Sequence, residues 1–273
     1  MDLPELTWGA ATDPGQRAEN QDSYLVAPPI FAVADGMGGH VGGAQASEIA
    51  VQRLAEIAQG PTVTMEQVKA ALEQADKDIM TLGADVDPLS RPGTTVAGLA
   101  LTEHEGEVCW LVFHVGDSRI YRWSEDKGLE QVSTDHSVVQ ALVDAGAITS
   151  ERASTHPQRH MITKALGFGD RGGADYTYLP VEPGQRFLMC SDGLTGEVLD
   201  ARIGELLAAG TDGQDLANRL VAEADPTAAQ DNVTVVVVRV HGDDAVAGSR
   251  SVEEVTSPRI SGPPDGAANG PQE

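Results

Sequence analysis

Basic residues are scarce in this sequence. Lys and Arg number 18 against 42 Asp and Glu, for a formal net charge of −24. That deficit excludes the broad positive surface needed to hold a nucleic-acid backbone or an anionic membrane. It suits clustered carboxylates offset by divalent cations, or acidity that serves solubility alone. Long apolar runs are missing too. The longest, Val233 to Val238, has the length of a strand, far short of the ~20 residues of a membrane helix. Met1 to Leu6 lack a basic stretch followed by an apolar one, so no secretory signal is read there. Cysteine is confined to Cys109 and Cys190, each inside an apolar, strand-like run. Reduced, buried thiols in a cytoplasmic protein are the expectation, with a disulfide as the alternative. No Gly-Lys-Ser/Thr follows the glycines after Asp35, and the next lysine is Lys69, which excludes a nucleotide-type phosphate loop.

What is present reads as one large domain, residues 1–241, followed by a tail, 242–273. Gly, Pro and Ser make up 13 of the 32 tail residues and aromatics are absent, the composition of a disordered segment. Within the domain, strands are predicted at Trp8 to Thr12, Tyr24 to Ala27, Ile30 to Ala34, Thr94 to Leu101, Val108 to Val115, Ile120 to Trp123, Tyr176 to Val181, Arg186 to Cys190 and Val233 to Val240. Helical periodicity covers Ala44 to Ile57, a stretch from Thr64 to Leu82 opened by a capping box, His136 to Ala145, Thr149 to Ala153, Ala201 to Ala209 and Gln214 to Ala224. Ser154 to Gly173 is polar and aperiodic, the pattern of a flap. The tight link Gly116 to Arg119 predicts a hairpin between the strands on either side. Strands and helices come in blocks rather than in alternation. The expected fold class is therefore α+β, with two packed central antiparallel sheets flanked by α-helices on both sides.

Aspartates recur at the ends of these strands: Asp35-Gly36, Asp117, Asp192-Gly193 and Asp231, with Asp22 just before another strand. Taken singly, each Asp-Gly reads as a turn. Together they predict carboxylates that repel one another and need cations to be buried. Oxygen ligands favour Mg²⁺ or Mn²⁺. The Gly36 carbonyl is a further candidate ligand, because no side chain blocks its approach. Two such ions, about 4 Å apart, can activate a water for in-line attack on phosphorus. Arg17, close before Asp22 in the sequence, is the candidate clamp for the phosphoryl oxygens.

The chain resembles a bacterial member of the metal-dependent type 2C Ser/Thr protein phosphatases, the PPM family, in order from Trp8 to Val240. The resemblance rests on Arg17-Ala-Glu-Asn-Gln-Asp22, Asp35-Gly-Met-Gly-Gly-His40, Gly93-Thr-Thr95, Gly116-Asp-Ser-Arg119, Ser191-Asp-Gly193 and Asp231-Asn-Val-Thr234. It implies hydrolysis of phosphoserine and phosphothreonine in proteins, the targets of a Ser/Thr kinase, at a centre of two Mn²⁺ or Mg²⁺ ions. It further implies that Asp35 bridges the metals. Gly36, Asp192 and Asp231 complete the ligands, with Asp22 bound directly or through water. Asp117 helps hold a third, weaker ion, Arg17 clamps phosphate, and the chain is a monomer. Three departures stand out. Gln21 replaces a common Glu. Met37 replaces a histidine thought to act as acid in eukaryotic members, for which His40 is a candidate substitute, the competing reading being a histidine packed into the loop. His160 stands at a flap position where close relatives often carry Ser or Asn. These departures motivate the alternative of a non-catalytic regulatory module, whose usual signature, loss of metal aspartates, is absent.

Overall fold

A computed structural model describes residues 3–38, 42–85, 90–169, 173–210, 212–225, 227 and 229–242. His40 and the expected tail beyond Gly242 lie outside these residues. One sheet contains β1 (Leu6–Asp13), β11 (Val233–Val240), β10 (Arg186–Cys190), β7 (Arg119–Ser124) and β8 (Gly128–Gln131), in that spatial order. The other runs β2 (Asp22–Ala27), β3 (Ile30–Met37), β5 (Val96–His104), β6 (Glu107–Val115) and β9 (Asp175–Pro180), with the short β4 (Gly93–Thr94) paired to the end of β3. Every pairing is antiparallel.

The inner strands are apolar on both faces because both faces are covered. In β11, Val233, Val235 and Val237 point into a cluster with α5 (Asp192–Glu197), α6 (Asp200–Ala209) and α7 (Gly213–Glu223). Val236, Val238 and Val240 alternate with them and meet Phe31, Val33, Leu99, Trp110 and Phe187 between the sheets. In β3, Ala32 and Ala34 face the opposite helix layer, α1 (Gly42–Ile57) and α2 (Met65–Leu82). Three contiguous clusters thus define four layers, α-β-β-α. The expected capping box opens α2: the Thr64 hydroxyl accepts from the Gln67 N–H, and the Gln67 amide accepts from the Thr64 N–H. Shorter helices α3 (Val138–Asp144) and α4 (Ser150–Ala153) precede β9. Cys109 and Cys190 are buried and free, one in each sheet, so the disulfide alternative falls. No helix among the described residues is long and apolar enough to cross a membrane.

Three local readings need correction. The link at Gly116 is not a hairpin turn. β6 and β7 belong to different sheets, so Gly116 to Ser118 carry the chain across the interface. A three-residue link suits either topology, and only the partners of each strand decide between them. The strand of Ile30 does not stop at Ala34. β3 continues through Asp35 to Met37, held by β4. Ser191-Asp192-Gly193 does more than end β10, since Asp192 is the first residue of α5 and Ser191 its N-cap.

Candidate metal centre

The site lies where the two sheets face each other at the ends of β2, β3, β10 and β11. Asp22 and Asp35 are register partners across β2 and β3. Asp35 is fixed through its backbone: its N–H donates to Thr95 Oγ1 at 3.1 Å, and its carbonyl accepts from the Thr95 N–H at 2.9 Å and the Thr94 hydroxyl at 2.9 Å. Thr95 Oγ1 in turn lies 2.6 Å from Ser118 Oγ, beside Asp117. A Cβ at Gly36 would strike the backbone oxygens of Gln21 and Gly43, so glycine is required for β2, β3 and α1 to meet here.

The opposite sheet supplies Asp192 and Asp231. The Ser191 hydroxyl donates to Asp22 Oδ2 at 2.8 Å and accepts from the Thr234 N–H at 3.0 Å, which stitches the sheets together. Asn232 is buried and clasps the segment bearing Arg17. Its Nδ2 donates to the carbonyls of Pro14 and Glu19, and its Oδ1 accepts from the Gln21 N–H. The Arg17 guanidinium donates from Nη2 to Asp231 Oδ2 at 2.8 Å and from Nε to the Gln230 carbonyl at 2.9 Å, with 57% of the side chain still exposed.

Electrostatics shows how tightly the acids are gathered. Burial, then the charges of Asp22, Asp192, Asp117 and Asp231, hold Asp35 well above the usual carboxylate range. Burial raises Asp22 to about 7 against the opposing hydrogen bonds of Thr234 and Ser191. Burial followed by the Asp192 charge raises Asp117 to about 7. Asp192 is raised by burial and by Asp231. Asp22 Oδ1 is buried without a hydrogen-bond partner. An orphaned carboxylate oxygen among mutually raised carboxyls is a donor set that fits hard divalent cations, which take oxygen ligands.

The structure therefore brings Asp22, Asp35, Gly36, Asp117, Asp192, Asp231 and Arg17 together. It also brings His160, whose Nδ1 lies 3.9 Å from Asp192 Oδ2. Ser191, Asn232, Thr95 and Ser118 do supporting work that no sequence role anticipated. Their signal was adjacency, each being a small hydroxyl or amide residue within a motif read for its acid or glycine.

A family model described as Protein phosphatase 2C matches residues 15–233. The serine/threonine phosphatase stp of Listeria innocua is 32% identical over 232 residues, spanning 83% of this chain and 88% of that protein. The serine/threonine protein phosphatase PstP of Mycobacterium tuberculosis is 37% identical over 238 residues, spanning 86% of this chain but 45% of that longer protein. The crystal structure of PstP/Ppp from M. tuberculosis superposes with a TM-score of 0.79 at 34% identity, covering 87% of this chain and 99% of that one. A structure of the PstP catalytic domain in complex with two manganese ions gives a TM-score of 0.76 at 33% identity, covering 87% and 99%.

Proposed function

The chain belongs to the protein phosphatase 2C family, and from that premise we propose that it hydrolyses phosphoserine and phosphothreonine esters in proteins, opposing a Ser/Thr kinase. The observation that carries the reading is the convergence of five aspartates from both sheets on one point, with one exposed arginine at its rim. Asp35, Asp192, Asp231 and the Gly36 carbonyl would hold two Mn²⁺ or Mg²⁺ ions, with Asp22 bound directly or through water and Asp117 contributing to a third. The cations supply an activated water and neutralise charge on the phosphoryl oxygens.

The chain's own residues do the rest. Buried backbone bonds from Thr94 and Thr95 fix Asp35 in position, so little reorganisation is needed when charge develops. Arg17 is held by Asp231 and the Gln230 carbonyl through Nη2 and Nε, and Nη1 takes part in neither bond. That arrangement suits a clamp on the non-bridging oxygens of a phosphate monoester. Met37 has no proton to give a leaving alkoxide. The two free, buried thiols support a reducing compartment, the cytoplasm.

The test is phosphate release from a phosphothreonine peptide with Mn²⁺, with and without EDTA, beside Asp192→Asn. Release that disappears in both controls is expected. Wild-type protein that is inert with both Mn²⁺ and Mg²⁺ would overturn the reading.

A further inference from the structure

A second cluster of ligating groups shares no residue with the carboxylate centre. His114 on β6 and Asp175 on β9 are register partners, and His136 comes from the segment before α3. Each offers one ligand atom, and the three atoms lie within 4.8 Å of one another. The imidazole rings of His114 and His136 stack with centroids 4.3 Å apart. His114 is only 3% exposed, yet its Nε2 has no hydrogen-bond partner. A buried polar atom without a partner needs a reason, and an unprotonated ring nitrogen is a metal ligand. Burial, then His136, push the His114 imidazole down to about 4, so it stays neutral. A cavity of about 80 Å³ opens beside it, lined by His114, Ser133, Thr134, Asp175 and Thr177.

We propose that His114, His136 and Asp175 form a separate site for a borderline transition-metal ion of the Zn²⁺ type. Two imidazoles and one carboxylate match that class and not Mg²⁺, which prefers oxygen ligands and its own water. In the structure the Lys164 ammonium stands in for the cation at Asp175 alone, 3.1 Å from Oδ1, with His136 Nε2 3.2 Å away. His136 Nδ1 accepts from the Gly116 N–H at 3.1 Å, so its Nε2 carries the proton and donates to Asp175 Oδ2 at 3.1 Å. Ligation by His136 Nε2 displaces the Lys164 ammonium and moves that proton to Nδ1, with no net proton released. The Gly116 N–H then loses its acceptor. Gly116 immediately precedes Asp117, so occupancy of this site reaches the rim of the carboxylate centre through one backbone link.

The test uses the full chain with Mg²⁺ in large excess, which fills the carboxylate centre and leaves imidazoles free. Zn²⁺ is titrated in and followed by calorimetry and by ¹⁵N resonances of the histidine rings. One Zn²⁺ per chain is expected, with a large shift of the His114 Nε2 resonance. His114→Gln and Asp175→Asn should each abolish it, and the second, at a more exposed position, guards against misfolding of the first. Lys164→Gln should tighten binding by about tenfold or more, because a competing unit charge is gone. Absence of Zn²⁺ binding, an unmoved His114 Nε2, or undiminished binding in a folded His114→Gln or Asp175→Asn would overturn the proposal.

Discussion

Asp22 is buried among like charges, with one carboxylate oxygen unpaired and the other bonded to Ser191. Its folded pKa of about 7 lies above the 3.8 of an unperturbed aspartate, so the folded chain binds more protons than the unfolded chain between those values. Stability of metal-free protein must then fall as pH rises through that window, the reverse of the usual salt-bridged aspartate. Melting curves in EDTA from about pH 5 to about pH 7.5 should show the decline. Asp22→Asn keeps an acceptor for Ser191 and removes the charge. It should raise the metal-free melting temperature near neutral pH while weakening Mn²⁺ binding. Melting that rises with pH in EDTA would contradict this account. Arg17 makes the opposite kind of contribution, being exposed and already paired. Arg17→Ala removes a charge-assisted contact worth about 2 kcal/mol, so the KM for a phosphopeptide should rise by roughly tenfold or more with little change in stability. A KM within twofold of the wild type, at unchanged kcat, would remove Arg17 from the site.

At the scale of elements, the site depends on loops that are clasped rather than merely connected. Asn232, 5% exposed, makes three hydrogen bonds to backbone groups of Pro14, Glu19 and Gln21. Asn232→Ala leaves those groups without partners, at a cost of about 2–4 kcal/mol. Because Arg17 lies inside the clasped segment, KM should rise as it does for Arg17→Ala, and urea denaturation should report the lost stability. A variant that loses stability but keeps KM would show that Arg17 is placed by its own contacts with Asp231 and Gln230. The sequence made the acids legible because strand ends carry Asp next to Gly or a small polar residue, and buried strands read as unbroken apolar runs. It made their scaffolding illegible for a definite reason. The bond from Ser191 to Asp22 joins residues 169 positions apart, and no local spacing encodes it. The crossing at Gly116 is illegible for the same cause, since a short link does not say whether its strands share a sheet. The group His114, His136 and Asp175 is assembled by the pairing of β6 with β9, which periodicity alone does not reveal.

For the whole molecule, two kinds of negative charge must be separated. The formal charge of −24 counts every acid in the chain, and between exposed acids salt screens interactions beyond about 10 Å at 0.1 M. The carboxyls of Asp22, Asp35, Asp117 and Asp192 are gathered at one place and raised chiefly by burial, and screening reaches least to Asp22, 4% exposed. Adding NaCl to EDTA-treated protein should therefore give a modest rise in melting temperature that levels off once surface repulsion is screened. Mg²⁺ or Mn²⁺ at far lower ionic strength should add a further rise. Ligand binding to the native state alone contributes about 2.7 kcal/mol at a hundredfold excess over Kd. The two increments should be separable in Asp35→Asn, which keeps the response to NaCl and loses most of the response to the divalent ion. If NaCl alone reproduced the full gain, the repulsion would be diffuse, and the clustered aspartates would not be the place where the fold stores its unfavourable charge.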